Sequence, residues 1–207
     1  MSDMVEQSSS KPDGLNEGEF RHTDEQTALK QLLTVSTTVL SQAVDLVENV
    51  LTSDDQLRVH SQYLPGSTIG KHLRHARDHF VILLDCISAQ PPYIFNYDVR
   101  SRNTPMETSL QAARESLLQT ITQLEAVVSK ARLDEAMTLN AVTPYPQVLQ
   151  TTFGRELWFG ALHAVHHWSM VRVIAGELNI KLEDSFGFAP STLVYRGSDA
   201  PLGKAKF

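Results

Sequence analysis

The chain has 207 residues, enough for one sizeable core and too few for two comfortable ones. Its 42% hydrophobic and 20% charged residues are those of an ordinary soluble globular protein, and its net charge of -6 argues against a nucleic-acid backbone or an anionic membrane as main partner. No apolar stretch approaches the ~20 residues that a membrane span requires. The single cysteine, Cys86, cannot form an internal disulfide. It follows the apolar run Phe80-Val81-Ile82-Leu83-Leu84, where a free thiol is expected to behave as a small buried hydrophobe. A disulfide-free chain is at home in the cytosol, so a cytoplasmic location is expected.

Residues 1–22 are polar and acidic, with neither the apolar core of a signal peptide nor the Arg-rich character of a transit peptide. Their composition buries too little apolar surface to offset the entropy of ordering, and a disordered tail is expected there. Residues 197–207 read as a second flexible tail, leaving 23–196 as one domain without a repeat or an internal linker.

The first helix is predicted to start at Thr23-Asp24-Glu25-Gln26, a capping-box pattern. An apolar stripe then runs through Leu29, Leu32, Leu33, Val39, Leu40, Ala43 and Val47 to about Leu51. Ser67 is the expected cap of a second helix reaching to about Ala89, where Pro91-Pro92 stops it. An aromatic loop follows, with Tyr93, Phe95 and Tyr97. Thr104-Pro105-Met106-Glu107 opens the third helix, whose buried face is Leu110, Leu117, Ile121, Leu124 and Val128. Residues 132–152 lose the helical period and read as a loop with at most a short extended piece. The fourth helix spans about 153–178 and is apolar around most of its circumference, as a central helix should be. Trp158 and Trp168 are both expected to pack. The turn-rich segment 186–192 is expected to fold back on the helices. With no convincing strand, these elements predict an all-α four-helix bundle with long connecting loops.

Six of the eight histidines fall in two clusters: His72, His75 and His79 in the second helix, and His163, His166 and His167 in the fourth. His163 and His167 are roughly 40° apart around the helix and about one turn along it, so both imidazoles can reach one ion. His75 and His79 share that spacing. Neutral imidazole is a fitting ligand for Zn, Ni or Fe, and a helical bundle commonly builds such a site from inward-facing side chains. Alone, each of these histidines would more often be an ordinary hydrogen-bonded residue. Two clusters on two helices able to face one another change that balance.

Around these residues the chain resembles the DinB/YfiT-like superfamily. The likeness is carried by Thr68-Ile69-Gly70-Lys71-His72-Leu73-Arg74-His75 and by Glu156-Leu157-Trp158-Phe159-Gly160-Ala161-Leu162-His163-Ala164-Val165-His166-His167. Phe186-Gly187-Phe188-Ala189-Pro190-Ser191-Thr192-Leu193 and Tyr97-Asp98-Val99-Arg100-Ser101-Arg102 are similar to an uncharacterised branch of it. The resemblance implies a divalent metal held by one histidine of the second helix and the His-x-x-x-His pair of the last, here His75, His163 and His167. His79 is the alternative to His75, and His72 and His166 are left for outer or surface positions. Some members are thiol transferases and others isomerases of thiol conjugates, so the likeness implies fold and metal more than reaction.

Glu156, nearly two turns before His163, is the weak catalytic candidate, as a general base or an outer acceptor; its alternative is a helix-surface acid, or a partner for Arg155 or Arg74. Asp78 could orient a ligand imidazole or form an ion pair. Arg100 and Arg102 could fork onto a substrate carboxylate, though pinning the loop through Asp98 or a helix C-terminus is the plainer expectation. The leading function is a metal-dependent transferase of thiol type, or a hydrolase, acting on a small molecule. The alternatives are a non-catalytic metal-binding or stress-response module, and an interaction bundle that forms a homodimer through a helix face.

Overall fold

The computed structural model describes residues 17–203, with side chains from residue 24 onward. Four long helices dominate: α1 (Glu17–Asp45), α2 (Ile69–Ser88), α3 (Leu110–Val128) and α4 (Phe153–Glu177). α2 packs on α4 and α3, and α1 packs on α3 and α4. Their apolar stripes meet in one core that includes Leu40, Ala43, Leu73, Phe80, Leu84, Leu117, Leu124, Leu157 and Ile174, each at most 1% exposed. Burying such a side chain is worth about 1.5–3 kcal/mol, which is what orders these helices against their entropy cost.

α1 begins at Glu17, six residues before the expected capping box at Thr23. Once a helix is nucleated, each added residue costs little, so a good internal cap does not force a start. Of the expected N-terminal tail, residues 17–22 are therefore helical, and residues 1–16 lie outside the described residues. α1 runs into a π-helical turn over Leu46–Val50 that keeps Leu46 and Val47 in the core, and Leu51 N closes it on Leu46 O at 2.9 Å. The cap of α2 is Thr68, one residue beyond the expected Ser67; its Oγ1 accepts from Lys71 N at 3.1 Å. The Thr104–Glu107 pattern shapes only a single 3-10 turn, Pro105–Glu107. Ser109 is the cap of α3 itself, accepting from Ala112 N at 3.4 Å.

The all-helical expectation needs a correction, because a small sheet stands between the helices. β1 (Tyr93–Phe95) pairs parallel with β2 (Ala136–Ala141), and β2 pairs antiparallel with β3 (Gln147–Thr152). The register sets Tyr93 against Met137 and Ala136 against Thr152. The strands escaped the sequence pattern because β1 has three residues, only Met137 of β2 is fully buried, and β3 is an exposed edge carrying Val148 and Leu149 outward. A half-buried strand is recognised by alternation, and none of the three alternates cleanly.

β3 passes without a loop into α4, whose first amides are capped by Thr152. Two residues past the end of α4 stands Asn179, in the left-handed region at φ 58°, with Ile180 N on Ala175 O and Asn179 N on Gly176 O. This is the two-bond C-cap that Asn or Gly can adopt. The chain then folds back on α4. Arg172 Nε donates to Phe186 O at 2.8 Å, Ser169 Oγ donates to Gly187 O, and Phe186 stacks on Trp168. Gly187 has φ 75°, and a Cβ there would lie 2.7 Å from the Trp168 carbonyl, so both backbone angle and space demand glycine. A short helix, α5 (Pro190–Tyr195), completes the fold-back. Residues 197–203, expected as part of a flexible tail, turn back onto α1: Gln42 Nε2 donates to Leu202 O at 2.6 Å and Gly203 is buried. Residues 204–207 lie outside the described residues.

Trp168 is fully buried, its Nε1 donating to Val39 O at 2.9 Å, but Trp158 is 45% exposed and is no core residue. Cys86 is half-buried, and burial pushes its thiol pKa up, away from reactivity. Among the described residues no helix is long and apolar enough to cross a membrane.

Gly70 tests the close approach of α2 to the 105–107 turn, because a Cβ on it would collide with the Glu107 carbonyl oxygen. Gly70→Ala is expected to cost about 1–3 kcal/mol, lowering the thermal midpoint by several degrees. Gly176→Ala, where an added Cβ meets nothing within 4 Å, is expected to leave the midpoint level or slightly raised. Thermal denaturation of the two variants, side by side, checks both.

Candidate metal centre

The packing of α2 on α4 turns both histidine clusters toward one another. His163 Nε2 lies 3.3 Å from His75 Nε2 and 3.1 Å from His167 Nε2, and one ring nitrogen from each of the three lies within 4.8 Å of the other two. His167 is buried, and His75 and His163 are half-buried. Two nitrogens held 2.0–2.1 Å from one ion at a tetrahedral angle stand about 3.3 Å apart. The His163–His75 and His163–His167 spacings match that edge.

The electrostatics agree with the geometry. Burial first, then the neighbouring histidines and Arg100, lowers the pKa of His75 and of His163 to about 3. Burial and the surrounding rings push His167 lower still. At neutral pH all three rings are therefore neutral, with lone pairs free for a cation. Hydrogen bonding alone does not complete the cluster. His75 Nδ1 is buried and has no partner among the described residues, and a single Nε2–H can serve only one of the contacts that His163 Nε2 makes. A soft, all-nitrogen donor set of this kind fits Zn, Ni or Fe better than Mg or Ca.

His79, the alternative to His75, stands beside the triad. Its Nδ1 donates to the His75 carbonyl at 3.1 Å, and its ring stacks on Tyr97 at 4.5 Å between centroids and lies 3.9 Å from that of His163. It forms a wall of the site. His166 is exposed, its ring 5.2 Å from that of His167. His72 reaches His167 from the other side, Nδ1 to Nδ1 at 2.7 Å.

Glu156 is fully buried, and three donors hold its carboxylate: Arg155 at 2.7 Å, Thr151 Oγ1 at 2.7 Å and the Tyr97 hydroxyl at 3.0 Å. The expected pairing with Arg155 is present, but on a buried acid rather than on a helix surface. Its consequence is the placement of Tyr97, and so of the ring that stacks on His79. Tyr97 carried no sequence signal beyond being one of several loop aromatics, and Thr151 carried none. Burial and the neighbouring Glu156 carboxylate push the Tyr97 pKa up, so it remains a phenol.

Asp78 does not reach a histidine. It pairs with Arg74 at 3.2 Å, and Arg74 also holds Glu107 at 3.1 Å, all three buried. This network ties α2 to the 105–107 turn. Asp98 pins the connecting loop through Val142 N and Thr143 rather than through Arg100 or Arg102, which are both exposed. Arg100 is nevertheless near enough for its charge to lower the pKa of His75, His79 and His163.

A helical core with a histidine from α2 and a His-x-x-x-His pair from α4 defines a recognisable class, and the family model of the DinB superfamily matches residues 36–171, which include all three histidines. The chain belongs to the DinB superfamily. It is also 33% identical over 159 residues to a Rhizopus delemar protein named FK506-binding protein 5. That match covers 75% of this chain and 35% of the relative, so the chain spans about a third of that protein's length. No solved structure gives a significant match.

The lowered histidine pKa values carry a sign. In the unfolded chain each ring takes up a proton near its ordinary pKa of about 6.5, whereas the folded rings stay neutral down to about 3. Stability of the metal-free protein is thus full above pH 6.5 and is lost as pH falls from there toward 3. Replacing His75 by Gln is expected to flatten that dependence between pH 6 and 4 by up to about 1.4 kcal/mol per pH unit, one proton's worth. Urea titrations of both proteins in chelator, across this range, measure it; parallel slopes would contradict the assignment.

Proposed function

We propose that the protein binds a divalent transition-metal ion through the Nε2 atoms of His75, His163 and His167, within a four-helix bundle formed by α1–α4. The observation that carries this reading is the convergence of three neutral imidazole nitrogens within 4.8 Å of one another, with His163 at the spacing of a tetrahedral edge from each of the other two. Three protein ligands leave a coordination position for a small molecule, as catalytic rather than structural sites do. We read the protein as a metal-dependent transferase or hydrolase of the cytoplasm, with a thiol-bearing small molecule as the substrate class that its family suggests.

A bound ion of this kind supplies Lewis acidity, which makes a water or thiol nucleophilic near neutral pH. The chain supplies the rest. His79 keeps its own ring in place by donating Nδ1–H to the His75 carbonyl, on the helix turn that carries a ligand. Tyr97, Phe159 and His79 form an aromatic wall next to His163, with ring centroids 5.5 Å apart for Phe159 and 3.9 Å for His79. Such a wall excludes water from one side of the site. Glu156 anchors that wall through Tyr97 on Oε2, and its Oε1 accepts from Thr151 and Arg155. It is a positioning residue rather than a base. Arg100 lends positive potential that favours an anionic substrate.

The test is metal content and metal-linked stability of protein purified without a His-tag. An ion at 1,000 times its dissociation constant stabilises a fold by about 4 kcal/mol, on the order of 10 °C in the midpoint of a domain this size. A chelator is expected to lower the midpoint and Zn or Ni to restore it. His167→Ala should abolish most of that response, while His166→Ala, at an exposed ring, should retain it. Identical behaviour of the two variants, or no chelator effect on a metal-loaded sample, would sink the reading.

A further inference from the structure

The shortest contact in the histidine cluster involves a residue outside the triad. His72 lies three residues before His75 on α2, and its Nδ1 stands 2.7 Å from Nδ1 of His167, with the rings tilted by 41°. Two ring nitrogens at that distance share one proton, because two bare lone pairs or two N–H groups would repel. Only two arrangements exist. If His72 donates, the His167 proton sits on Nε2, pointing into the triad and blocking the lone pair there. If His167 donates, its Nε2 is bare toward His163 Nε2, 3.1 Å away.

The second arrangement puts the proton of His72 on its own Nε2, a buried atom with no partner among the described residues. An unpartnered buried polar atom is destabilising, so a plain packing role would be served better by leucine. The cost is understandable for a residue whose other nitrogen has a task. Ligand imidazoles are commonly oriented by an acceptor on their second nitrogen, usually a carboxylate or a carbonyl. Here neither is in place: Asp78 is committed to Arg74 and Glu156 to Tyr97, Thr151 and Arg155.

We propose that His72 is a positioning residue of the metal centre, its Nδ1 accepting the Nδ1–H of His167 and so fixing the ring rotation and tautomer that leave His167 Nε2 bare toward His75 and His163. This rests on the metal-binding reading given above. An imidazole acceptor orients the ligand without adding a negative charge, unlike the carboxylate more often found in this position.

The test uses the full-length untagged protein and zinc alone, with affinity measured by competition against a chromophoric chelator. His72→Leu removes the acceptor at similar size and is expected to weaken zinc binding 10- to 100-fold. His72→Asn, whose amide oxygen can sit near the Nδ1 position, is expected to stay within a few-fold of the unaltered protein. Nitrogen-15 spectra of the zinc-loaded unaltered protein should show His167 protonated at Nδ1 and His72 at Nε2, a readout that needs no variant to fold. Zinc binding by His72→Leu as tight as by the unaltered protein, or a His72 Nδ1–H in the zinc-loaded spectrum, overturns the role. Failure of the unaltered protein to bind zinc removes the metal reading itself, and this role with it.

Discussion

Everything at the site follows from how closely α2 and α4 approach one another. Phe80 of α2 packs on Gly160 of α4, where an added Cβ would sit in ordinary contact with the ring, 3.6 Å away. One turn further along α4 comes His163; on α2, His79 immediately precedes Phe80 and His75 lies one turn before His79. Aromatic packing at Phe80 thus sets the distance across which the imidazoles meet. Interiors are packed to crystal-like density, so this separation is a stiff dimension of the molecule. The three ring nitrogens are brought to their spacing by apolar contacts beside them. Their own interaction, as neutral groups with converging lone pairs, opposes it.

Two polar networks brace that helix pair, one on each helix. On one, Arg74 ties Asp78 and Glu107 together in a buried triad that seats α2 on the 105–107 turn. A buried ion pair is a weak source of net stability, but losing one partner costs about 3–5 kcal/mol, so it strongly disfavours a shifted α2. On the other, Glu156 collects the loop after β1 through Tyr97 and the end of β3 through Thr151. The small sheet therefore matters to the site. It carries no histidine, but it delivers the two residues that hold the start of α4 against the aromatic wall.

Much of this was legible in the sequence, and the reasons are physical. The helices announced themselves through apolar periodicity over 19 or more residues, and the histidine pair through a spacing that any straight helix converts into proximity. The family motifs around Gly70-Lys71-His72 and Leu162-His163 then chose His75 over His79, which the spacing alone left open. What failed was short or context-dependent. Thr23 and Thr104 look like helix starts, yet one lies inside α1 and the other opens a single 3-10 turn, because caps permit a start without compelling it. β1 and β2 draw their order from pairing across some 40 residues, which no local window contains. Trp158 faces water against expectation, because a helix apolar around most of its circumference hides which side faces outward. The burial of Glu156 is not legible locally, because two of its partners, Tyr97 and Thr151, come from other elements.

The burial of Trp168 has a use beyond packing. It is the residue immediately after His167, its indole nitrogen is bonded to the α1 backbone at Val39, and Phe186 of the fold-back segment covers it. The other indole, Trp158, faces water from the same helix. Two indoles in such different surroundings emit at different wavelengths, and only the buried one is covalently adjacent to the site. The protein thus carries an intrinsic fluorescent reporter one residue from His167. Quenching of its blue component by a paramagnetic ion such as Ni or Cu would register occupancy of the site without any label.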